Sequence, residues 1–388
     1  MSKTWKSMTC ILLILILVVS ILAGCTITPA TSTTEVVEPA IIRLGAILGL
    51  SGDIVAYGES QKKGIKLAIK EINTGSYLGK GNELKVIIED SGDSTDGAAR
   101  AMTKLIQESN IVGIIGPTLS SQAFIADPIA QKVGIPVMGI SNTVPGITEM
   151  GEFIFRCSLP ESSVIANAIE VATKVLNIKK VGIIWQEDED YTIACYQAFI
   201  KAFENNGIEI LADETYTRGN MDFKKQLVKI IATNPDAIIA SSFVKEAVQI
   251  VIQSRSLEFV GTIIGGNGFN SPEIIRQAGE AAEGVITGTA WNMASKLPKN
   301  VEFISSFEKM YGSKPDQFAA QAYTAVWLYA DAIRTATSND PKAVRDALAG
   351  TSNFECPFGS LSFTKEREPV HPSAIQIIRD GKFVIFNP

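Results

Sequence analysis

Histidine is nearly absent from this sequence, and its scarcity excludes several kinds of catalytic site. The single histidine, His371, lies in the turn-like segment 368–372, so Ser-His or Cys-His catalysis is not expected. The five cysteines show no CxxC or CxxxC spacing, and a zinc site of cysteine and histidine is not predicted either. We therefore expect no metal, no cofactor and no enzymatic activity.

Positive charge is also in short supply. The chain has 35 lysines and arginines against 41 acidic residues, which leaves a net charge of −6. Nucleic-acid-binding proteins need a basic face, and adhesion to anionic lipid head groups needs clusters of lysine and arginine. The charge balance favours neither kind of partner.

The apolar run at residues 11–19 is shorter than the roughly 20 residues that a membrane-spanning helix needs. It follows Lys3 and Lys6 and precedes a Leu-Ala-Gly-Cys sequence that ends at Cys25, which is the order of a secretory signal. This ending resembles the lipobox of prokaryotic lipoproteins, in which the cysteine is lipidated. We expect a signal peptide at residues 1–24 and a lipid anchor on Cys25 at the outer face of the cell membrane. An uncleaved transmembrane anchor is the alternative, and it places the rest of the chain on the same side.

Residues 25–40 are rich in threonine, serine and proline, which is typical of a flexible tether. Beyond it only Cys157, Cys195 and Cys356 remain. Three thiols in an oxidising compartment form at most one disulfide, and the sequence does not determine which two would pair.

The length of 388 residues exceeds the roughly 250–300 at which a single core stops growing, so two domains are expected. From Ile41 onward, short β-branched runs alternate with amphipathic helical stretches, beginning with a strand at 41–48 and a helix at 58–72. The alternation restarts with a helix at 161–176 and ends in a hairpin at 375–386. This pattern predicts an α/β fold with two lobes, each a mostly parallel sheet flanked by helices, and a ligand cleft between them.

Candidate binding residues follow the strands. Tyr57 stands just before a helix, where it would cover a ligand or simply belong to a turn and helix cap. Ser120 and Ser121 lie after the third strand, where the following helix begins. A hydroxyl there can cap the helix, and the helix N-terminus favours an anion. Ser141 and Thr143 follow the fourth strand and add further polar groups.

Several short motifs occur in a defined order from Ile41 to the end of the chain: Leu50-Ser51-Gly52-x-x-x-x-Tyr57-Gly58, Gly116-Pro117-x-x-Ser120-Ser121, Gly134-Ile135-Pro136-Val137 and Gly266-Asn267-Gly268-Phe269. Their order and spacing resemble the Leu/Ile/Val-binding family of extracytoplasmic solute-binding proteins, which serve ABC transporters. The resemblance implies a type I periplasmic-binding fold with three hinge crossovers. It places lobe 1 at residues 41–158 and 290–361, and lobe 2 at residues 159–289 and 362–388.

The resemblance also implies residue roles. Ser120 matches the serine that holds the ligand carboxylate, and Thr143 matches a threonine at the same end of the ligand, where Ser141 offers its backbone. Tyr191 matches a second-lobe aromatic residue that closes over the ligand. Phe243 lies near another lining position.

Asn267 departs from the family pattern, since amino-acid binders usually carry Asp or Glu there to pair with the ligand ammonium. An amide is neutral, and a buried ammonium without a charged partner is costly. An ordinary aliphatic amino acid is therefore in doubt, unless Glu161 or the acidic stretch 187–190 supplies the missing charge. That stretch is otherwise a solvated loop.

The function implied by the resemblance is that of a solute receptor of an ABC importer. It would bind a small carboxylate-bearing metabolite, an amino acid or a relative, and deliver it to permease subunits. One alternative is a sensing receptor for a membrane signalling protein, in which the cleft chemistry would be the same. Another is an extracytoplasmic α/β enzyme, against which the lack of histidine argues.

Overall fold

The computed structural model describes residues 40–386 of the chain. The predicted signal peptide and the predicted lipidation site at Cys25 lie outside the described residues. Among the helices of residues 40–386, none has both the length and the apolar character that a membrane crossing requires.

The described residues contain both kinds of regular structure in alternation. Fifteen strands follow one another as β1 (Ile41–Leu48), β2 (Glu83–Asp90), β3 (Ile111–Ile115), β4 (Val137–Gly139), β5 (Ile154–Arg156), β6 (Lys180–Gln186), β7 (Glu209–Tyr216), β8 (Ala237–Ser241), β9 (Thr262–Gly265), β10 (Ile286–Thr289), β11 (Phe354–Cys356), β12 (Gly359–Phe363), β13 (Pro369–Val370), β14 (Ala374–Arg379) and β15 (Lys382–Ile385). Eleven α-helices accompany them as α1 (Val55–Thr74), α2 (Thr95–Leu105), α3 (Ser120–Val133), α4 (Glu161–Leu176), α5 (Asp190–Asn206), α6 (Lys224–Ala232), α7 (Val244–Ser256), α8 (Glu273–Ala278), α9 (Pro298–Tyr311), α10 (Gln317–Ala336) and α11 (Pro341–Ala349). Short 3₁₀ helices cover Gly52–Ile54, Thr148–Met150, Asn267–Asn270 and Gly279–Ala282.

The strands form two main sheets. In the first, the order is β2-β1-β3-β4-β5 and all pairs are parallel. In the second, the order is β15-β14-β10-β9-β8-β6-β7, with β14 antiparallel to β10 and β15 antiparallel to β14. All five residues of β3 and of β8 are buried, as expected for strands covered by helices on both faces. The predicted α/β class with two mostly parallel sheets is confirmed.

We call the five-stranded sheet with its packed helices the first lobe, and the seven-stranded sheet with its helices the second lobe. Helix α10 packs on α1 in the first lobe, where a side chain on Gly64 would come within 2.1 Å of the Ala319 carbonyl oxygen. The chain therefore returns to the first lobe after β10, and β14 then joins the second sheet. The residue bounds predicted for the two lobes stay a prediction.

A small third sheet, β11-β12-β13, was not predicted from the sequence. Its strands have only two to five residues, too few for an alternating pattern to stand out. It packs on the first lobe through Phe363, whose ring lies 5.5 Å from that of Phe155.

Asp127 on α3 is fully buried, and neither carboxyl oxygen has a hydrogen-bond partner among the described residues. Burial raises the pKa of this carboxyl well above its ordinary value. Asp127→Asn is therefore expected to stabilise the protein at neutral pH. Below the unfolded-state pKa of about 3.9 the carboxyl is protonated in both states, so it costs no stability there. As the pH rises, the unfolded state loses this proton before the folded state does, and the free energy of unfolding falls.

Denaturation midpoints between pH 4 and pH 8 check this expectation. The advantage of Asp127→Asn over the wild type should widen with pH. Asp96→Asn, at an exposed position of α2, is the control for the loss of a carboxylate alone. Parallel pH profiles for the wild type and Asp127→Asn would contradict it.

Candidate ligand-binding cleft

A cavity of about 20 Å³ lies between the two lobes. Its lining combines hydroxyl, amide and aromatic side chains, namely Tyr57, Thr118, Leu119, Ser120, Ser141, Tyr191, Phe243, Asn267, Gly268 and Phe318. Six of the residues predicted from the sequence are brought together here: Tyr57, Ser120, Ser141, Tyr191, Phe243 and Asn267. Ser121 and Thr143 do not line the cavity. Both are buried, and each lies within two sequence positions of a residue that does line it. All eight stay predictions as ligand contacts.

The turn after β3 directs the start of α3 towards the cavity. Gly116 has a φ of +97°, and a side chain there would come within 2.2 Å of the Ile47 carbonyl oxygen, so only glycine fits this turn. Helix α3 has Leu119 as its N-cap, and leucine offers no acceptor for the N–H groups of the first turn. The positive end of a 14-residue helix therefore begins at Ser120, in the cavity wall.

The hydroxyl groups near the start of α3 differ in whether their proton is free to donate a hydrogen bond. Ser141 donates to the Thr118 carbonyl oxygen at 2.6 Å and accepts from Gln61 Nε2 at 2.9 Å. The Thr118 hydroxyl donates to Gln61 Oε1 at 2.7 Å. Ser120 Oγ only accepts, from the Thr143 N–H at 3.2 Å. Of these three hydroxyls, Ser120 is therefore the one with a proton left to donate to a ligand.

Aromatic rings from both lobes form the apolar walls. Tyr57 packs 4.6 Å from Phe318, and Tyr191 packs 5.2 Å from Phe243, measured between ring centroids. Burial raises the pKa of both tyrosines well above the ordinary value, so both phenols are neutral at physiological pH.

Tyr57 also bridges the lobes. Its hydroxyl accepts the Val244 N–H at 2.7 Å and donates to the Gly268 carbonyl oxygen at 3.0 Å. At the rim, Lys245 Nζ lies 2.8 Å from Asp53 Oδ1, but both side chains are more than 40% exposed. Exposed ion pairs contribute at most about 1 kcal/mol. Of these two contacts, the buried Tyr57 bonds are therefore the stronger.

Asn267 begins the 3₁₀ helix that follows β9, at the second-lobe end of the cavity. Its N–H donates to Glu161 Oε1 at 2.8 Å, and its Oδ1 accepts from Gln317 Nε2 at 2.6 Å. Burial raises the pKa of Glu161, and the Asn267 N–H opposes this only in part. Neither Glu161 nor any residue of the acidic stretch 187–190 lines the cavity.

Four lining residues were missed from the sequence: Thr118, Leu119, Gly268 and Phe318. Thr118, Leu119 and Gly268 lie inside motifs that were recognised, but nothing in those motifs separated them from turn residues. Phe318 could have been predicted from the sequence. It stands two residues after Asp316, whose side chain caps α10 by accepting the Ala319 N–H at 2.9 Å. An aromatic residue at a helix start is the same feature that singled out Tyr57.

The histidine and the three thiols do not line the cavity. His371 stacks on Phe358, with ring centroids 4.7 Å apart. Cys157, Cys195 and Cys356 are buried free thiols. Within residues 40–386, no three Cys, His, Asp or Glu side chains are grouped so that they could hold a metal ion.

Comparison with known proteins gives a consistent result. A family model described as "Periplasmic binding protein" matches residues 41–382. The chain is 24% identical over 318 residues to the leucine-, isoleucine-, valine-, threonine- and alanine-binding protein of Pseudomonas aeruginosa, covering 82% of this chain and 84% of that protein.

Among solved structures, the chain is similar to LivJ of Streptococcus pneumoniae, a branched-chain amino acid transporter substrate-binding protein in complex with isoleucine. The identity is 29% and the TM-score 0.84, over 90% of this chain and 100% of that one. The leucine-binding protein LivK of Thermotoga maritima is 26% identical with a TM-score of 0.84, over 89% and 98% of the two chains. These similarities confirm the predicted two-lobed type I periplasmic-binding fold.

Proposed function

The chain belongs to the periplasmic binding protein family, and we propose that it is the extracytoplasmic solute receptor of an ABC importer. Its proposed ligand is a small carboxylate-bearing metabolite, an amino acid or a related acid, held between the lobes by the residues that line the cavity. Because about 20 Å³ has room for only about one water molecule, the lobes must move apart to admit the ligand. The prediction that the chain is not an enzyme is confirmed, because the family and the relatives named above are binding proteins. Hinge closure on the ligand produces the form that engages the permease subunits.

One observation carries the proposal: free hydrogen-bond donors and apolar walls meet in a single cavity. The first turn of α3 and the Ser120 hydroxyl supply donors at a positive helix end, which favours a carboxylate. Tyr57, Tyr191, Phe243 and Phe318 supply the walls for an apolar body. The isoleucine bound by the S. pneumoniae relative combines the same two features, a carboxylate and an apolar side chain.

The proposal includes export and a lipid anchor on Cys25. A tether of about 15 residues has a typical span near 20 Å. Such a tether keeps the receptor close to a permease in the same membrane and raises its local concentration there.

A thermal-shift screen of the purified protein against small carboxylates tests the function. A ligand at about 100 times its dissociation constant adds roughly 2.7 kcal/mol of stability. The ligand should be recovered chemically unchanged after prolonged incubation, as judged by chromatography. Stabilisation only by compounds without a carboxylate, or conversion of the ligand, would refute the proposal.

Ser120→Ala is expected to weaken carboxylate binding without unfolding the protein. A hydrogen bond to a charged group contributes about 1.5–3 kcal/mol, which is roughly 10- to 150-fold in Kd. Ser305→Ala is the control, since Ser305 is exposed on α9 and does not line the cavity. Isothermal titration calorimetry should show a change below about threefold for the control. Equal losses in both variants would contradict the role of Ser120.

A further inference from the structure

The residues behind Asn267 determine which atom it presents to the cavity. The Ala290 N–H donates to Gln317 Oε1 at 2.5 Å, and the Thr289 hydroxyl donates to the same oxygen at 2.8 Å. A backbone N–H can only donate, so the atom it meets must be the amide oxygen of Gln317. The amide nitrogen of Gln317 is then the atom that faces Asn267.

Gln317 orients the Asn267 side chain in turn. Gln317 Nε2 donates to Asn267 Oδ1 at 2.6 Å, and Asn270 Nδ2 approaches the same oxygen at 3.4 Å. The acceptor atom of Asn267 is therefore used within the protein. Its Nδ2 makes no hydrogen bond to any residue in the range 40–386, and the side chain lines the cavity. Asn267 thus offers the ligand an N–H donor.

Glu161 does not replace the missing acid. Its Oε1 already accepts the Asn267 N–H at 2.8 Å, and the side chain is only 2% exposed and outside the cavity lining. Burial raises its pKa, which favours the neutral carboxyl. No carboxylate of residues 40–386 lines the cavity.

Both lobes therefore present donors to the ligand. Ser120 and the first turn of α3 do so from the first lobe, and Asn267 does so from the second. A ligand ammonium at the Asn267 end would meet an N–H group in place of a charged partner, which is unfavourable in a buried site. An oxygen acceptor at that position would receive a hydrogen bond.

We propose that the ligand is a small apolar carboxylate whose second polar group is an oxo or hydroxyl oxygen and that carries no ammonium. This inference rests on the proposed function, because it takes the cavity to be the ligand site. Gln317 is the positioning residue for this selectivity, and Asn267 is the residue that contacts the ligand.

Isothermal titration calorimetry with 4-methyl-2-oxopentanoate and L-leucine tests the inference on the wild-type protein. The two compounds share a carbon skeleton and a carboxylate, and differ only in an oxo or an ammonium group. The oxo acid is expected to bind at least about tenfold more tightly. Phenylpyruvate and L-phenylalanine repeat the comparison with a larger side chain.

The outcomes separate the two proposals. Binding of L-leucine as tight as that of the oxo acid overturns the inference and leaves the receptor function standing. If no carboxylate in a wider screen binds, the proposed function falls and the inference falls with it.

Asn267→Asp should reverse the preference, since a carboxylate oxygen then takes the place of the N–H donor. The oxo acid is expected to lose at least about tenfold in affinity, and L-leucine to gain by a similar factor. Asn267→Ser, which keeps a neutral donor, should retain the preference for the oxo acid. A folded Asn267→Asp protein with unchanged preference contradicts the inference, and if the variant fails to fold, the wild-type comparison decides alone.

Discussion

Arg156→Ala is expected to lower the free energy of unfolding by about 3–5 kcal/mol, the cost of breaking a buried charged network from one side. The Arg156 side chain is 2% exposed, and its Nε and Nη2 each lie 2.8 Å from a carboxylate oxygen of Glu368. Its Nη1 donates to the carbonyl oxygens of Asn142 and Val144 at 3.0 and 2.8 Å. Alanine leaves Glu368 Oε2 and the Val144 carbonyl oxygen without a donor, whereas Glu368 Oε1 and the Asn142 carbonyl oxygen keep the hydroxyls of Thr148 and Ser158.

The same substitution should also weaken ligand binding. The two carbonyl groups flank Thr143, whose N–H holds Ser120 in place, so the loop that orients the proposed carboxylate donor loses its support. Chemical denaturation and calorimetric titration measure the two effects. Arg276→Ala, which removes a 69% exposed guanidinium paired with Glu273, is the control and should cost no more than about 1 kcal/mol. A similar loss in both variants would show that burial of Arg156 is not the cause.

Gly266→Val is expected to destabilise the protein by about 3 kcal/mol or more, at the upper end of the range for overpacked cores. Even the first side-chain carbon at this position would lie 2.3 Å from Cys195 Sγ, 2.7 Å from Glu161 Oε1 and 3.0 Å from the Tyr191 hydroxyl. All three groups are buried, so none moves aside without disturbing the second-lobe wall of the cavity. Thermal unfolding and ligand titration should both report the change.

A double-variant cycle locates the clash. Removing the sulfur with Cys195→Ala should recover part of the stability lost by Gly266→Ala, with a coupling of about 0.5 kcal/mol or more. Gly350→Ala is the matched control, because its φ of −84° is ordinary and the nearest atom to an added carbon lies 3.5 Å away. Additive effects at positions 266 and 195 would rule out the proposed clash.

Local patterns in the sequence determined most of the secondary structure. The strand at 41–48 and the helix at 161–176 have the bounds predicted for them, because hydrophobic periodicity and turn residues act over a few neighbours. The same local logic identified the loops that carry polar groups at strand ends. Three of the five residues chosen there, Tyr57, Ser120 and Ser141, line one cavity, together with the three that the family resemblance implied, Tyr191, Phe243 and Asn267. The third sheet escaped prediction because its strands are too short to show a period.

The sequence alone also determined the family resemblance and the departure at Asn267, since both depend on residue types in a fixed order. Only the tertiary structure decided how that departure acts. Asn267 takes its orientation from Gln317, 50 residues away, and Tyr57 closes the cleft through Val244, 187 residues away. A hydrogen bond depends on the direction of donor and acceptor atoms that long-range packing brings together. The residue types determine which hydrogen-bond donors and acceptors are available, and packing determines which of them remain free for a ligand.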